Sequence, residues 1–78
     1  MSNTELIEIT VTEITLSLRG GKRVIMCVRD VEHAAEAFCR WRDRMNLASS
    51  DLGMGCGNVR MNGKLTAHVS YNGRIWPV

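Results

Sequence analysis

One amphipathic stretch, residues 31–45 (VEHAAEAFCRWRDRM), limits what this chain can fold into more than any other feature. Val31, Ala34, Phe38, Trp41 and Met45 recur at steps of three, four, three and four, which puts them on one stripe of a helix with 3.6 residues per turn. Asp30 stands where an N-cap belongs, and Glu32 lies in the first turn, near the positive end of the helix dipole. Arg40, Arg42 and Arg44 fill the last turns, where cations are favoured, and Asn46 suits a left-handed stop. Cap and dipole together contribute about 1–2 kcal/mol. No other stretch reads as a helix. The stripe therefore needs a sheet to cover, and the rest of the chain reads as strand and turn.

Residues 5–19 are rich in Ile, Thr, Val and Leu with period-two alternation, the pattern of a strand. The alternation changes parity once: Ile7, Ile9 and Val11 share one face, and Ile14, Leu16 and Leu18 the other. A strand with one buried face absorbs such a change with an extra residue, so a β-bulge or break is expected near Thr12 and Glu13; two short strands with a kink are the alternative. Gly20-Gly21 then turns the chain into a second strand over residues 22–29. A three-residue loop of Arg19, Gly20 and a left-handed Gly21 sets Leu16 opposite Val24 and Ile14 opposite Met26. A two-residue loop would oppose Leu16 to Ile25 and Ile14 to Cys27. The longer alternating series Val24, Met26, Val28 favours the first.

Past the helix, residues 47–57 (LASSDLGMGCG) hold the least regular sequence, with three glycines in its last five positions. Such a tail makes a mobile or sharply turning loop. A phosphate cradle normally lies between a strand and a helix N-terminus; here a helix precedes and a strand follows, so a long connection across the sheet is the better reading. Two Asn-Gly pairs ten residues apart, in RMNGK and SYNGR, then divide residues 58–78 into a three-stranded meander. Each turn fits either a two-residue type I′ turn or a type I turn with a following bulge; the second is preferred because it keeps the apolar residues together, opposing Val59 to Leu65 and Val69 to Ile75. Val59, Leu65, Ala67, Val69 and Ile75 would then share a face, leaving Thr66, His68, Ser70 and Trp76 on the other. Pro77 cannot donate to a ladder, which makes the last strand an edge.

The expected architecture is α+β: a single antiparallel sheet in ββ-α-βββ order with one helix packed on one face, in one domain over residues 1–78 (hairpin 5–29, helix 31–45, loop 47–57, meander 58–78). The helix stripe would meet Val24, Met26, Val28, Val59, Leu65, Ala67 and Val69. Phe38→Asp should therefore abolish cooperative thermal melting. A hydrophobic fraction of 45% is enough for such a core.

The same residues narrow the function. Three cysteines, Cys27, Cys39 and Cys56, form no CxxC pair and stand at no ligand spacing to His33 or His68, so no metal or cofactor is expected. An odd cysteine count and an N-terminus with neither a basic nor a hydrophobic leader region favour a cytoplasmic setting, and no apolar run is long enough for a membrane helix. No nucleophile and base stand at a reactive spacing: His33 and Cys39 are six residues apart on the helix and face away from each other. The chain is therefore read as non-catalytic.

Charge is uneven. Residues 1–18 hold Glu5, Glu8 and Glu13 and no basic residue, whereas after Asp51 come Arg60, Lys64 and Arg74 and no acid, so the N-terminal strand is expected to be an acidic edge and the C-terminal region mildly basic. Arginine and tryptophan dominate interface hot spots. Arg40, Arg42, Arg44, Arg60, Lys64, Arg74 and Trp76 are accordingly the candidate partner-binding residues, directed at a larger, acidic protein surface. An edge strand adds a route to homodimerisation. The resulting reading is a protein-interaction module, in the manner of small inhibitors such as phage- or plasmid-encoded blockers of host defence systems, an analogy of size and class alone. The alternative is a small nucleic-acid-binding domain, in which the same cations track phosphates and Tyr71, Trp76 and His68 stack on bases. It has only four aromatic residues to work with, two of them on the helix stripe.

Overall fold

The computed structural model describes residues 9–78. Strands β1 (Thr12–Ser17) and β2 (Arg23–Val28) form a hairpin, α1 (Val31–Arg44) follows, a short 3-10 turn spans Ser49–Asp51, and β3 (Asn58–Met61), β4 (Lys64–Val69) and β5 (Ile75–Pro77) complete the chain. All strand pairs are antiparallel, in the order β2-β1-β3-β4-β5. The expected α+β fold, one antiparallel sheet with one helix on it, is what the chain adopts.

The helix begins and ends as its sequence dictates. The Asp30 carboxylate accepts from the His33 amide at 2.8 Å, and the His33 ring accepts from the Arg29 amide at 2.9 Å, so strand and helix are joined by two local bonds. At the other end Asn46 is left-handed (φ 54°), and the amides of Asn46 and Leu47 return to the carbonyls of Asp43 and Arg42. That pair of bonds is the Schellman stop. Ala34 and Phe38 are fully buried, and Val31, Ala35, Cys39 and Trp41 pack around them. Met45 departs from the expected stripe. It caps the helix rather than extending it, and it is exposed.

Beneath the helix lie Ile14 and Leu16 of β1, Val59 of β3, and Ala67 and Val69 of β4, with Cys56 joining from the loop. Met26 and Val28 pack at the margin. Val24 and Leu65, both expected in this core, are not in it. Val24 lies on a strand with no described neighbour on its outer side. Leu65 is exposed and faces Arg60 instead of Val59, because the Asn62-Gly63 turn is two residues long.

The three hairpins separate correct from incorrect turn expectations. In the first, Leu16 faces Val24 and Ile14 faces Met26, as expected of a three-residue loop. The left-handed glycine is Gly20 (φ 66°), not Gly21, and Gly21 donates to the Leu18 carbonyl, an arrangement of type II turns. In the second, Asn62 (φ 53°) and Gly63 (φ 83°) are both left-handed and Met61 faces Lys64, a two-residue type I′ turn that sets Arg60 opposite Leu65; a one-residue slip between Val59 and Arg60 then pairs Val59 with Ala67 in place of the expected Leu65. In the third, Gly73 is left-handed, Ser70 exchanges bonds with Gly73 and Arg74, and Val69 faces Ile75, as expected.

No bulge occurs at Thr12 and Glu13: β1 pairs without a slip from Thr12–Val28 to Ser17–Arg23. The other expected outcome, a break, is what occurs: β1 begins at Thr12, with Ile9, Thr10 and Val11 outside it and Ile9 75% exposed. The first part of the expected strand, with Glu5 and Glu8, lies outside the described residues.

The glycine-rich loop is a sharp turn docked on the end of β1. Gly53 donates to the Ser17 carbonyl at 2.9 Å, and the Arg19 amide donates to the Asp51 carbonyl at 2.8 Å. Gly57 donates to the Thr15 carbonyl at 2.7 Å and accepts from Val69, so it bridges β1 and β4. At φ 90°, a Cβ there would strike the Val69 carbonyl, so only glycine fits.

Candidate interaction surfaces

The helix covers one face of the sheet; no described helix or strand covers the other, although Thr15 and Ser17 on it are buried and Ser17 Oγ donates to the Met54 carbonyl of the glycine-rich loop. Register assigns the open face. Glu13 stands opposite both Cys27 and Arg60, Thr15 opposite Ile25, Asn58 opposite His68, and His68 opposite Trp76. Side chains opposite one another in a ladder share a face, and that face is the one turned from Ile14, Val59 and Phe38. The expected placement of Thr66, His68 and Trp76 away from the core therefore holds. Trp76 is 50% exposed, and the Arg74 guanidinium lies 5.8 Å from its ring centroid. The His68 ring meets the Asn58 side-chain oxygen at 3.1 Å. Leu65 and Ile25 add exposed apolar surface on the same face.

The predicted binding residues do not converge. Arg60, Arg74 and Trp76 belong to the open face, and Lys64 stands beside the β3–β4 turn. Arg40 and Arg44 lie on the opposite layer, where with Met26, His33 and Glu36 they line a shallow cleft between the helix and β2.

Arg42 does a different job. Its Nη1 donates to the Tyr71 carbonyl at 2.6 Å, its guanidinium lies 5.4 Å from the Tyr71 ring centroid, and Asp43 pairs with it at 3.0 Å. The hydrogen bond that the guanidinium donates to Asp43 holds it above its ordinary pKa. Tyr71 in turn donates to the Leu47 carbonyl at 2.7 Å. Arg42 thus ties the end of the helix to the β4–β5 turn, a fixed structural position.

The sheet has two edges, β2 and β5; the sequence pointed to β5 and, wrongly, to the acidic N-terminal strand, which pairs on both sides between β2 and β3. In the first hairpin the Leu18 amide bonds the Lys22 carbonyl, which makes Leu18–Lys22 a hydrogen-bonded pair. Such pairs alternate along an antiparallel ladder, so Val24, Met26 and Val28 bond β1 while Arg23, Ile25 and Cys27 direct their amides and carbonyls outward. The β1–β3 ladder agrees, because the odd-numbered Val11 and Thr15 accept from Asn62 and Gly57. At the far edge, Ser70 pairs with Arg74 and Thr66 with Val78, leaving Ile75 and Pro77 to face outward. Sequence reasoning missed the β2 edge because RVIMCV is apolar on both faces, the composition of an interior strand.

Among the cysteines, Cys56 is buried and its Sγ accepts from the Ser17 amide at 3.4 Å. Burial pushes its thiol pKa up, the direction opposite to activation. Cys27 is exposed on β2. Among the described residues, no three His, Cys, Asp or Glu side chains are grouped to hold a metal ion, and no helix is long and apolar enough to cross a membrane. Neither protein-family models, nor curated proteins, nor solved structures match this chain.

Proposed function

We propose that this protein is a non-catalytic protein-interaction module that presents the open face of its sheet to a larger, acidic partner and acts by occluding that partner's surface. Small inhibitors, such as phage- or plasmid-encoded blockers of host defence systems, work in this mode. The observation that carries the reading is the uncovered face itself. Trp76, Leu65 and Ile25 stand exposed there, and Arg60 and Arg74 accompany them. Exposed apolar surface rimmed by polar groups marks interaction sites, and Trp with Arg supplies the usual anchors.

Charge geometry favours a protein over a nucleic acid. A strand of phosphates needs cations along one track. Here Arg40 and Arg44 lie on the helix layer, Arg60 and Arg74 on the open face with Glu13 between β2 and β3, and Arg42 is engaged by Tyr71 and Asp43. The Trp76 ring already has Arg74 beside it.

The test is capture from a host lysate by the immobilised full chain, compared with Trp76→Ala, Arg60→Ala and the control pair Arg40→Ala/Arg44→Ala. A protein held by the wild type and the control but lost with Trp76→Ala supports the reading. Retention by Trp76→Ala contradicts it. The companion measurement is fluorescence anisotropy with single- and double-stranded oligonucleotides across a salt series. No binding at low salt is expected, and a steep log–log salt slope would transfer the function to nucleic acid.

A further inference from the structure

β2 combines three properties that fit together if another strand lies beside it. Its composition is that of an interior strand, with Val24, Met26 and Val28 turned to the helix side and Ile25 and Cys27 to the open face, yet Val24 is 52% and Ile25 58% exposed. Its outward groups, the amides and carbonyls of Arg23, Ile25 and Cys27, have no described strand to bond. Its surroundings are basic. Lys22, Arg23 and Arg29 lie on or beside the strand, and Arg40 and Arg44 line the cleft above it, against the carboxylates of Asp30, Glu36 and, on β1 opposite Cys27, Glu13. The Asp30 carboxylate is already engaged by the His33 amide. An incoming strand that suits this edge is extended, apolar on alternate residues, and acidic.

The chain itself contains such a segment. Residues 5–11 read ELIEITV, with Glu5 and Glu8, no basic residue, and Ile7, Ile9 and Val11 on one parity. Among the described residues, no ladder of the sheet runs past the start of β1. Thr12 faces Val28, the last residue of β2, and Val11 exchanges bonds with Asn62 in the β3–β4 turn, so both neighbours of β1 end where it begins. Val11 and Ile9 are exposed there.

We propose that the outer edge of β2 receives residues 5–11 of a second copy as an added strand, each copy giving its segment and accepting the other's. Alternation assigns the contacts. With Ile7, Ile9 and Val11 over Val24 and Met26, Glu5 shares their face and meets the cleft of Arg40 and Arg44. Glu8 then falls on the open face, beside Arg23 and Arg29. This inference concerns the edge of the sheet and stands independently of the open-face reading.

Sedimentation velocity on the full chain tests it. The wild type is expected to sediment as a dimer at micromolar concentration and to dissociate as salt rises, because the charge pairs are screened. The variants Glu5→Lys/Glu8→Lys and Arg23→Glu/Arg29→Glu, checked for native circular dichroism, should each bind themselves about tenfold or more weakly. An equimolar mixture of the two should recover the dimer, since each segment then meets an edge of opposite charge. A wild-type monomer at every concentration overturns the proposal. So does a dimer indifferent to both variants, or a mixture that stays monomeric.

Discussion

The two edges of this sheet are opposites. β5 is three residues long, carries Pro77 on its outward side, and has Arg74 beside its one large aromatic residue. It offers an incoming strand a single outward amide, that of Ile75. β2 is six residues long, without proline or bulge, and apolar on both faces. Proteins blunt exposed edges with short strands, proline and charge, because an open edge pairs with whatever strand arrives. One edge here follows that rule and the other does not. The contrast marks β2 as an edge kept for a partner strand, and the basic residues around it state the charge that strand should carry.

The largest expected effect separates inward from outward positions on β2. Met26→Pro removes an amide committed to β1 and should cost about 3 kcal/mol or more, enough to abolish a cooperative thermal transition in so small a fold. Ile25→Pro removes only an outward amide and should keep a cooperative transition while losing self-association. Equal damage from both would break the inward–outward assignment. Next comes Ile25→Lys, which gives β2 the charged gatekeeper it lacks. It should leave the melting temperature nearly unchanged and weaken self-association about tenfold, read by concentration-dependent sedimentation.

Thiol chemistry gives a third contrast. Exposed Cys27 on the β2 edge should react with a maleimide much faster than buried Cys56, with mass spectrometry of the digested protein as the readout. Because the folded chain holds the Cys56 proton more tightly than the unfolded chain, the associated stability is full below the ordinary thiol value, about 8.5, and falls as pH rises beyond it. A chemical denaturation series from neutral pH upward should show that decline, and Cys56→Ala should flatten it. The smallest effect belongs to the blunt edge. Pro77→Thr restores an outward donor to β5 and should change stability by only about 0.5 kcal/mol or less, while raising the tendency to self-associate under concentration.

Local chemistry made most of this fold legible. Asp30, Asn46 and the Phe38 stripe defined the helix from within its own fifteen residues, and the three antiparallel ladders followed from turns and alternation. What was not legible depends on strand order or on choices between near-equal turns. Two Asn-Gly pairs, each followed by a cation, gave two different turns: Asn62 and Gly63 are both left-handed in the first, whereas Gly73 alone is in the second. The parity change before Ile14 was readable as a bulge or a break, but which of the two was not. A bulge would have kept Val11 on the buried face, and the chain ends the strand at Thr12 instead. Arg42 resembled its neighbours Arg40 and Arg44 in sequence, and only the Tyr71 carbonyl at 2.6 Å distinguishes it as a tie within the fold. The open β2 edge could not be seen at all, because an apolar strand looks the same at the centre of a sheet as at its border.

Amide hydrogen exchange by NMR on β2, at two protein concentrations, tests the central claim most directly. The amides of Val24, Met26 and Val28 bond β1 and should exchange slowly at both concentrations. Those of Arg23, Ile25 and Cys27 should exchange slowly in concentrated samples and quickly on dilution or in Glu5→Lys/Glu8→Lys. Fast exchange at Arg23, Ile25 and Cys27 at every concentration, with Val24, Met26 and Val28 still protected, would show an edge that no strand covers and would contradict the account.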